Sequence, residues 1–430
     1  MTTNINDVSS QWTSSDVINI AAERQLEFLS ATVACASVTG NEDRVSALYV
    51  DFFESRGWTV MRQPLGTSEV ARSETAATEP RIDDRANIIG YYKTRRPGVP
   101  VVVINGHVDV VPVLDADQWD RDPFSGDRAD GFVHGRGAVD TKGGIAAALW
   151  ALDGLDRAGV DLPFDVAVEL VVGEETTGIG TRAALEHLPA RLGTVVLEPT
   201  SGAVVTVASG LLFFTVEVTG RAAHTSVPWH GVDTGPKVIE IYHALHRLGD
   251  ERAARLTDER MPFPSAVPLA IGTVDIGGWR AAVPARGSLS GRIGVMPGEN
   301  LDDVRAALLA CVEEVAAADP WLTEHPPIVR WDNQGLHSWE TPESDQVVRA
   351  LVEGRRRAGM PPRIEGMTAG CDAGILRDAD ISTVVFGPGN MRYAHSPNEK
   401  IAESDVVEAA RILAYALIAW VGLLDKDAQP

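Results

Sequence analysis

Four apolar stretches of this chain each run into side chains that can bind a metal. INGHVDVVP supplies His107 and Asp109, GRGAVDTKGG supplies Asp140, VVGEETTG sets Glu174 and Glu175 side by side, and VVLEPTS supplies Glu198. Near the C-terminus YAHSPNE adds His395. His107, Asp140, Glu175, Glu198 and His395 together offer two imidazoles and three carboxylates, a set suited to zinc, manganese or cobalt. Two ions could share one bridging carboxylate. Each residue alone has a plainer reading: Asp140 as the cap of the helix that follows, Glu198 as a turn residue before Pro199, a lone histidine as a hydrogen-bonded core residue. Two adjacent glutamates after seven apolar residues are harder to explain that way, because like charges at the mouth of a buried strand repel and lose hydration. The conjunction carries the argument.

Elements that could bring these positions together are visible in the patterning. Residues 15–32 and 42–56 carry apolar residues at helical spacing, with Gly57 as a stop. Short β-branched runs follow at 86–92, 101–105, 166–172 and 194–197, with a helix over 144–157 between two of them, while the polar stretch 66–85 reads as a loop or irregular hairpin. Strands alternating with helices, and strands apolar throughout, predict an α/β domain with its sheet covered on both faces. Ligands gather at the carboxyl ends of the strands of such sheets. From residue 210 the texture changes: LLFFTVEVTG alternates like a half-exposed strand, and helices over 233–247 and 300–318 lie among further strands up to PIVRWDN. This predicts a small α+β module inserted at 210–333 into an α/β domain formed by 1–209 and 334–430.

Composition narrows the class of partner. The chain has 430 residues, 44% of them hydrophobic, enough for more than one core. With 60 acidic against 38 basic residues and a net charge of −22, neither nucleic acid nor an anionic membrane is expected to bind. Cys35, Cys311 and Cys371 form no disulfide framework or zinc finger. The opening MTTNINDVSSQW lacks the features of a secretion signal, and no stretch reaches about 18 uninterrupted apolar residues, so a cytoplasmic protein is expected.

The sequence resembles the M20 metallopeptidases, the family of acetylornithine deacetylase, succinyl-diaminopimelate desuccinylase, aminoacylase and glutamate carboxypeptidase. The motifs that carry the likeness are, in order, GHVDVVP, PFSGDRADGFVHGRGAVDTKGG, GEE, LEPT, GRAAHTSVP, RIGVMPGE and FGPGN with AHSPNE. LEPT with a glutamate is more like the deacylase and carboxypeptidase branches than the aminopeptidases. The resemblance implies an α/β metallohydrolase catalytic domain with an inserted α+β dimerisation or lid domain. It also implies one or two divalent ions per subunit, with Asp140 bridging, His107 and Glu198 completing one site, and Glu175 and His395 the other. Glu174 would be the general base acting on a metal-bound hydroxide's parent water, and Asp109 would orient His107. Alternation along an extended backbone would separate Glu174 from Glu175.

In the inserted module the same resemblance gives His224 as a donor to the substrate carbonyl oxygen, reaching across a homodimer for which LLFFTVEVTG could supply the sheet edge. Arg292 matches an arginine that binds a substrate carboxylate, and Gly387 and Gly389 would let backbone approach the ligand. Two departures fall near the substrate. Ala282-Val283-Pro284 stands where the family often reads Asn-Val-Ile-Pro, and Cys371 precedes Asp372 where Gly-Thr-Asp is commoner. The expected function is therefore hydrolysis of a C–N bond, an amide in an N-acyl amino acid or small peptide-like substrate. The alternatives are a non-peptide C–N bond (a carbamoyl group or an activated aromatic amine) and a non-catalytic binding protein.

Overall fold

The computed structural model describes residues 16–73, 75–187, 191–331 and 335–427. The expected helix start at 15 and the expected domain boundary at 333–334 lie outside the described residues. The chain divides into two compact units: a larger one formed by the segments ending at Thr206 and spanning Thr341–Glu365 and Cys371–Pro430, and a smaller one formed by Val207–Glu340 with Gly366–Gly370. The expected opening of the module at residue 210 falls close to Val207. The short return at Gly366–Gly370 has no counterpart in the sequence reading.

The larger unit opens with two helices, α1 (Asp16–Val33) and α2 (Asp43–Glu54), and strand β1 (Val60–Pro64). The stretch read as a loop or hairpin, 66–85, carries short helical turns at Leu65–Thr67, Glu69–Arg72, Thr75–Thr78 and Ile82–Asp84. Then come β2 (Ala86–Tyr91), β3 (Val101–His107), α3 (Gly143–Arg157), β4 (Asp165–Val171), α4 (Ile179–His187), β5 (Gly193–Val196) and β6 (Val204–Ala208). In the sheet, β4 and β5 flank β3 and run parallel to it, while β1, β2 and β4 pair antiparallel in turn. Every residue of β3, β4 and β5 is buried, as two covered faces require. Successive side chains of β3 serve opposite faces. Gly106 lies against Ile145 of α3, and Asn105 donates to Thr181 of α4 at 3.0 Å.

The smaller unit contains β7 (Gly210–Thr219), α5 (Gly235–Arg255), β8 (Leu269–Ile276), β9 (Arg286–Val295), α6 (Leu301–Ala317) and β10 (Ile328–Trp331), with sheet order β8-β9-β7-β10. Leu212, Phe214, Val216 and Val218 of β7 bury one face against Val238, Ile241 and Leu245 of α5 and Val304, Leu308 and Val312 of α6. Phe213 on the other face is 41% exposed. The expectation that LLFFTVEVTG forms a sheet edge is corrected here. β7 pairs with β9 along its whole length and with β10 on its other side, so it is an inner strand and the sheet ends at β8 and β10. Alternation reports a solvated face, which an inner strand of a single-layered sheet also has.

The chain returns to the larger unit through α7 (Gln346–Arg357), α8 (Asp372–Asp378), β11 (Thr383–Val385), which runs parallel to β5, and α9 (Glu403–Asp427). Within α9, Glu403–Leu424 is long and apolar enough to cross a membrane by length and composition, yet 72% of its apolar window is buried inside the protein. It packs against α3 and α7 as a core helix.

Candidate metal centre

The parallel strands deliver the predicted ligands at their carboxyl ends. His107 is the last residue of β3, Asp109 follows two residues on, and Glu198 lies two residues beyond β5. Asp140 sits in the irregular turn that enters α3. Glu174 and Glu175 lie in a turn between β4 and α4. This differs from the extended backbone expected for them. Gly173, at φ 76°, bends the chain after β4, and its carbonyl accepts from the amides of Thr177 and Gly178 at 3.1 and 2.8 Å. The turn, rather than a strand pleat, separates the two glutamates. His395 follows β11 in a loop and adopts φ 57°, a left-handed conformation unusual for a residue with a Cβ and common where a site dictates the backbone.

Asp140 stands between the two imidazoles. Its Oδ1 is 2.9 Å from His107 Nε2 and its Oδ2 is 3.3 Å from His395 Nε2, so one carboxylate spans both. Glu175 Oε2 is 2.9 Å from His395 Nε2, and Glu198 Oε1 is 3.8 Å from His107 Nε2. Among the described residues, two groups have ligand atoms all within 4.8 Å of one another: His107, Asp140 and Glu175, and His107, Glu174 and Glu198. Glu175 and Glu174 thus face different parts of the cluster.

The electrostatics fit a cation. Burial pushes Glu174 and Glu198 well above the ordinary carboxylate range, and neighbouring carboxylates add to the shift while His107 opposes it. Burial works against a charged His107, yet its hydrogen bond with Asp140 and the charges of Glu174, Asp140 and Glu198 hold the ring well above its usual value. Hydrogen bonds with Asp140 and Glu175 raise His395 to about 10. Carboxylates driven towards protonation beside imidazoles driven towards charge are what an excess of buried negative charge produces. The donor set of nitrogen and carboxylate oxygen suits zinc, manganese or cobalt. His107, Asp140, Glu175, Glu198 and His395 would hold the ions.

The supporting contacts revise one expectation and add a residue. His107 Nδ1 meets the backbone carbonyl of Asp109 at 2.9 Å, while the Asp109 carboxylate is 3.8 Å from that nitrogen. That carboxylate instead accepts from the amides of Gly173, Glu174 and Glu175 at 2.9, 3.3 and 3.4 Å. Asp109 therefore fixes His107 through its main chain and the two-glutamate turn through its side chain. Glu399, unassigned by the sequence reading although it closes YAHSPNE, accepts from the amides of Val139 and Asp140 at 3.0 and 3.3 Å and pairs with Arg136 at 2.6 Å. Burial, with the Asp140 charge, pushes Glu399 up to about 7. Gly387 and Gly389 each make a close approach to the chain itself. A Cβ on Gly387 would lie 2.5 Å from the Glu198 carbonyl oxygen, and one on Gly389, at φ 81°, would lie 2.3 Å from Val139.

A model of peptidase family M20/M25/M40 matches residues 103–419. The chain belongs to this family. It is 28% identical over 419 residues to a probable carboxypeptidase of Neosartorya fischeri, covering 92% of this chain and 86% of that protein. It is 27% identical over 355 residues to the N-formyl-4-amino-5-aminomethyl-2-methylpyrimidine deformylase of Bacillus subtilis, covering 78% of this chain and 83% of that protein. Its fold resembles the structure of the di-peptidase Dug1p of Saccharomyces cerevisiae, with a TM-score of 0.74 at 16% identity over 98% of this chain and 99% of the other.

As a member of the M20/M25/M40 family the chain is a metal-dependent hydrolase of peptide or amide C–N bonds. Two further candidate residues of this family member lie in its smaller unit. His224 is exposed, its Nδ1 2.7 Å from Ser226 Oγ, and it forms a bridge with Ala282. Arg292 is half-buried on β9 and donates from Nη2 to the Thr368 carbonyl at 2.8 Å, while its Nε is buried without a hydrogen-bond partner among the described residues. Burial lowers its pKa.

Proposed function

We propose that this chain hydrolyses the amide bond of an N-acyl amino acid or a small peptide-like substrate, with Glu174 moving the proton. The observation that carries the reading is the convergence of Glu174 on the same cluster as His107 and Glu198, next to but distinct from the group that holds Glu175. Divalent ions in this site would supply Lewis acidity, making water acidic and a carbonyl electrophilic. Glu174, with a carboxyl pushed upward by burial, is matched to accept a proton from the attacking water at its carboxylate oxygen and to return it to the leaving nitrogen. His224 would donate to the developing oxyanion, and the unmatched Nε of Arg292 favours a substrate carboxylate, which a guanidinium binds in a planar fork. Exposed side chains along edge strand β8, among them Val274 and Ile276, and Trp279 just beyond it, support a homodimer formed through that edge. The free cysteines accord with a reducing, cytoplasmic setting.

A second reading keeps the same centre but changes the bond. Ala282 removes an amide side chain beside His224, and a relative of similar likeness is named for deformylating a pyrimidine, so a formyl or carbamoyl nitrogen on a substrate without a carboxylate is the rival. The test is a mass-spectrometric screen of protein reconstituted with zinc, manganese or cobalt against N-acyl amino acids, dipeptides, formyl and carbamoyl compounds and aryl amines. Turnover confined to carboxylate-bearing amides is expected. Turnover confined to carboxylate-free compounds would replace the first reading by the second.

A further inference from the structure

The stretch 66–85 carries no candidate site residue, and with Glu42 it precedes the first residue of the family match. It nevertheless sends a carboxylate to the turn that holds Glu174 and Glu175. Glu79 Oε1 accepts hydrogen bonds from the hydroxyls of both Thr176 and Thr177, the latter at 2.5 Å, directly after the two glutamates. Its other oxygen accepts from Arg85 Nη1 at 2.5 Å. Arg85 in turn donates to both oxygens of Glu42, from Nη2 at 2.6 Å and from Nε at 3.2 Å, and Glu42 also accepts from the Gly40 amide at 2.8 Å. The Glu79 and Glu42 side chains are 0% and 3% exposed and that of Arg85 is 3% exposed. Two buried carboxylates share one guanidinium, so the surplus negative charge must be met by other donors. The threonine hydroxyls meet it.

We propose that Glu79 is a positioning residue for the two-glutamate turn, with Arg85 and Glu42 as its anchor. The turn is held from two sides. Asp109 takes the amides of Gly173, Glu174 and Glu175, and Glu79 takes the hydroxyls of Thr176 and Thr177. Between them lie the proton-transferring carboxylate and a metal-binding one. A charged acceptor makes stronger hydrogen bonds than a neutral one, and contacts that orient metal ligands typically change metal affinity or activity by roughly 10-fold to 100-fold when lost. Arg85 serves two ends: it neutralises part of the buried charge and fixes the carboxylate plane of Glu79, so that one oxygen remains for the turn.

The inference rests on the metallohydrolase reading, and its test is arranged to fail separately from it. The full chain is prepared as wild type, Glu79→Gln, Thr176→Val with Thr177→Val, and Thr176→Ser with Thr177→Ser. The valine pair removes the hydroxyls but leaves the ion pairs of Arg85 with Glu79 and Glu42 in place. Zinc and cobalt affinities are measured by chelator competition, the visible spectrum of the cobalt form is recorded, and kcat and KM are taken on a substrate the wild type hydrolyses. The valine pair and Glu79→Gln are expected to lose roughly 10-fold to 100-fold in affinity for one ion, with a changed cobalt spectrum and a similar loss in kcat at nearly constant KM. The serine pair retains wild-type values. If the folded valine pair binds metal and turns over as wild type does, Glu79 is only a structural residue and the proposal is overturned, whatever happens to the melting temperature. Should Glu79→Gln fail to fold, the valine pair alone decides. Metal bound by wild type with no substrate hydrolysed would overturn the functional reading instead, and the affinity comparison would still decide this one.

Discussion

Glu174 and Glu175 are neighbours in sequence that fall in different ligand groups, and the separate roles proposed for them are testable residue by residue. Glu174→Gln keeps the shape of the side chain and removes its basicity, so it should retain metal and lose roughly two to four orders of magnitude in kcat. Asp140→Ala should do the opposite, losing metal itself, because one Asp140 oxygen faces His107 and the other faces His395. Elemental analysis alongside single-turnover kinetics separates the two. Wild-type turnover by Glu174→Gln, or full metal content in Asp140→Ala, would refute the respective role. These residues were legible because each ends an apolar run, where a charge is conspicuous. Glu79 and Glu399 were not, since the partners that matter, Thr176 and Thr177 for one and Arg136 for the other, lie many residues away and leave no local pattern. Asp109 meets His107 at hydrogen-bond distance through its carbonyl, with its carboxylate 3.8 Å away. Spacing of two from a histidine does not distinguish a carboxylate contact from a carbonyl contact.

At the scale of elements, the alternation of β-branched runs and helices was enough to predict a sheet covered on both faces, because strands as apolar as β3 have no solvated side. Pairing order was out of reach. Which strand ends a sheet depends on partners distant in sequence, and so the inner strand β7 was mistaken for an edge while β8 was not singled out. The two glycines after β11 show the same limit. Their type signals a close approach without saying to what, and the structure puts the Glu198 backbone beside Gly387 and the Val139 side chain beside Gly389. Gly387→Ala should therefore act through fold before chemistry. A Cβ at 2.5 Å from the Glu198 carbonyl oxygen must push that segment, an overpacking that costs about 1 to 3 kcal/mol. The expected result is a lower melting temperature together with weaker metal binding, measured calorimetrically and by chelator competition on one preparation. An unchanged melting temperature with an altered KM would instead support the reading of Gly387 as a ligand-facing position.

For the whole molecule, the open question is whether one subunit makes a complete active site. His224 is exposed on the smaller unit, with its ring bonded to Ser226 and its backbone bridged to Ala282. Our reading has it act on the substrate of a second subunit, in a homodimer joined through β8. An oxyanion donor works in the transition state, so His224→Ala should lower kcat by roughly 100-fold to 1000-fold with metal content unchanged. The arrangement in trans makes a stronger demand. When inactive Glu174→Gln and His224→Ala proteins exchange subunits, each mixed dimer contains one site with an intact Glu174 and an intact His224 from its partner. The other site in that dimer lacks both. Random exchange of equal amounts puts half of the molecules in mixed dimers, so about one site in four becomes competent and activity should return to about a quarter of wild type. If His224 served its own subunit, every site in every dimer would lack one group, and mixing would recover nothing. Mass measurement showing that mixed dimers have formed, with activity still absent, would therefore refute the trans assignment, while recovery near one quarter would establish that the active site is a property of the dimer.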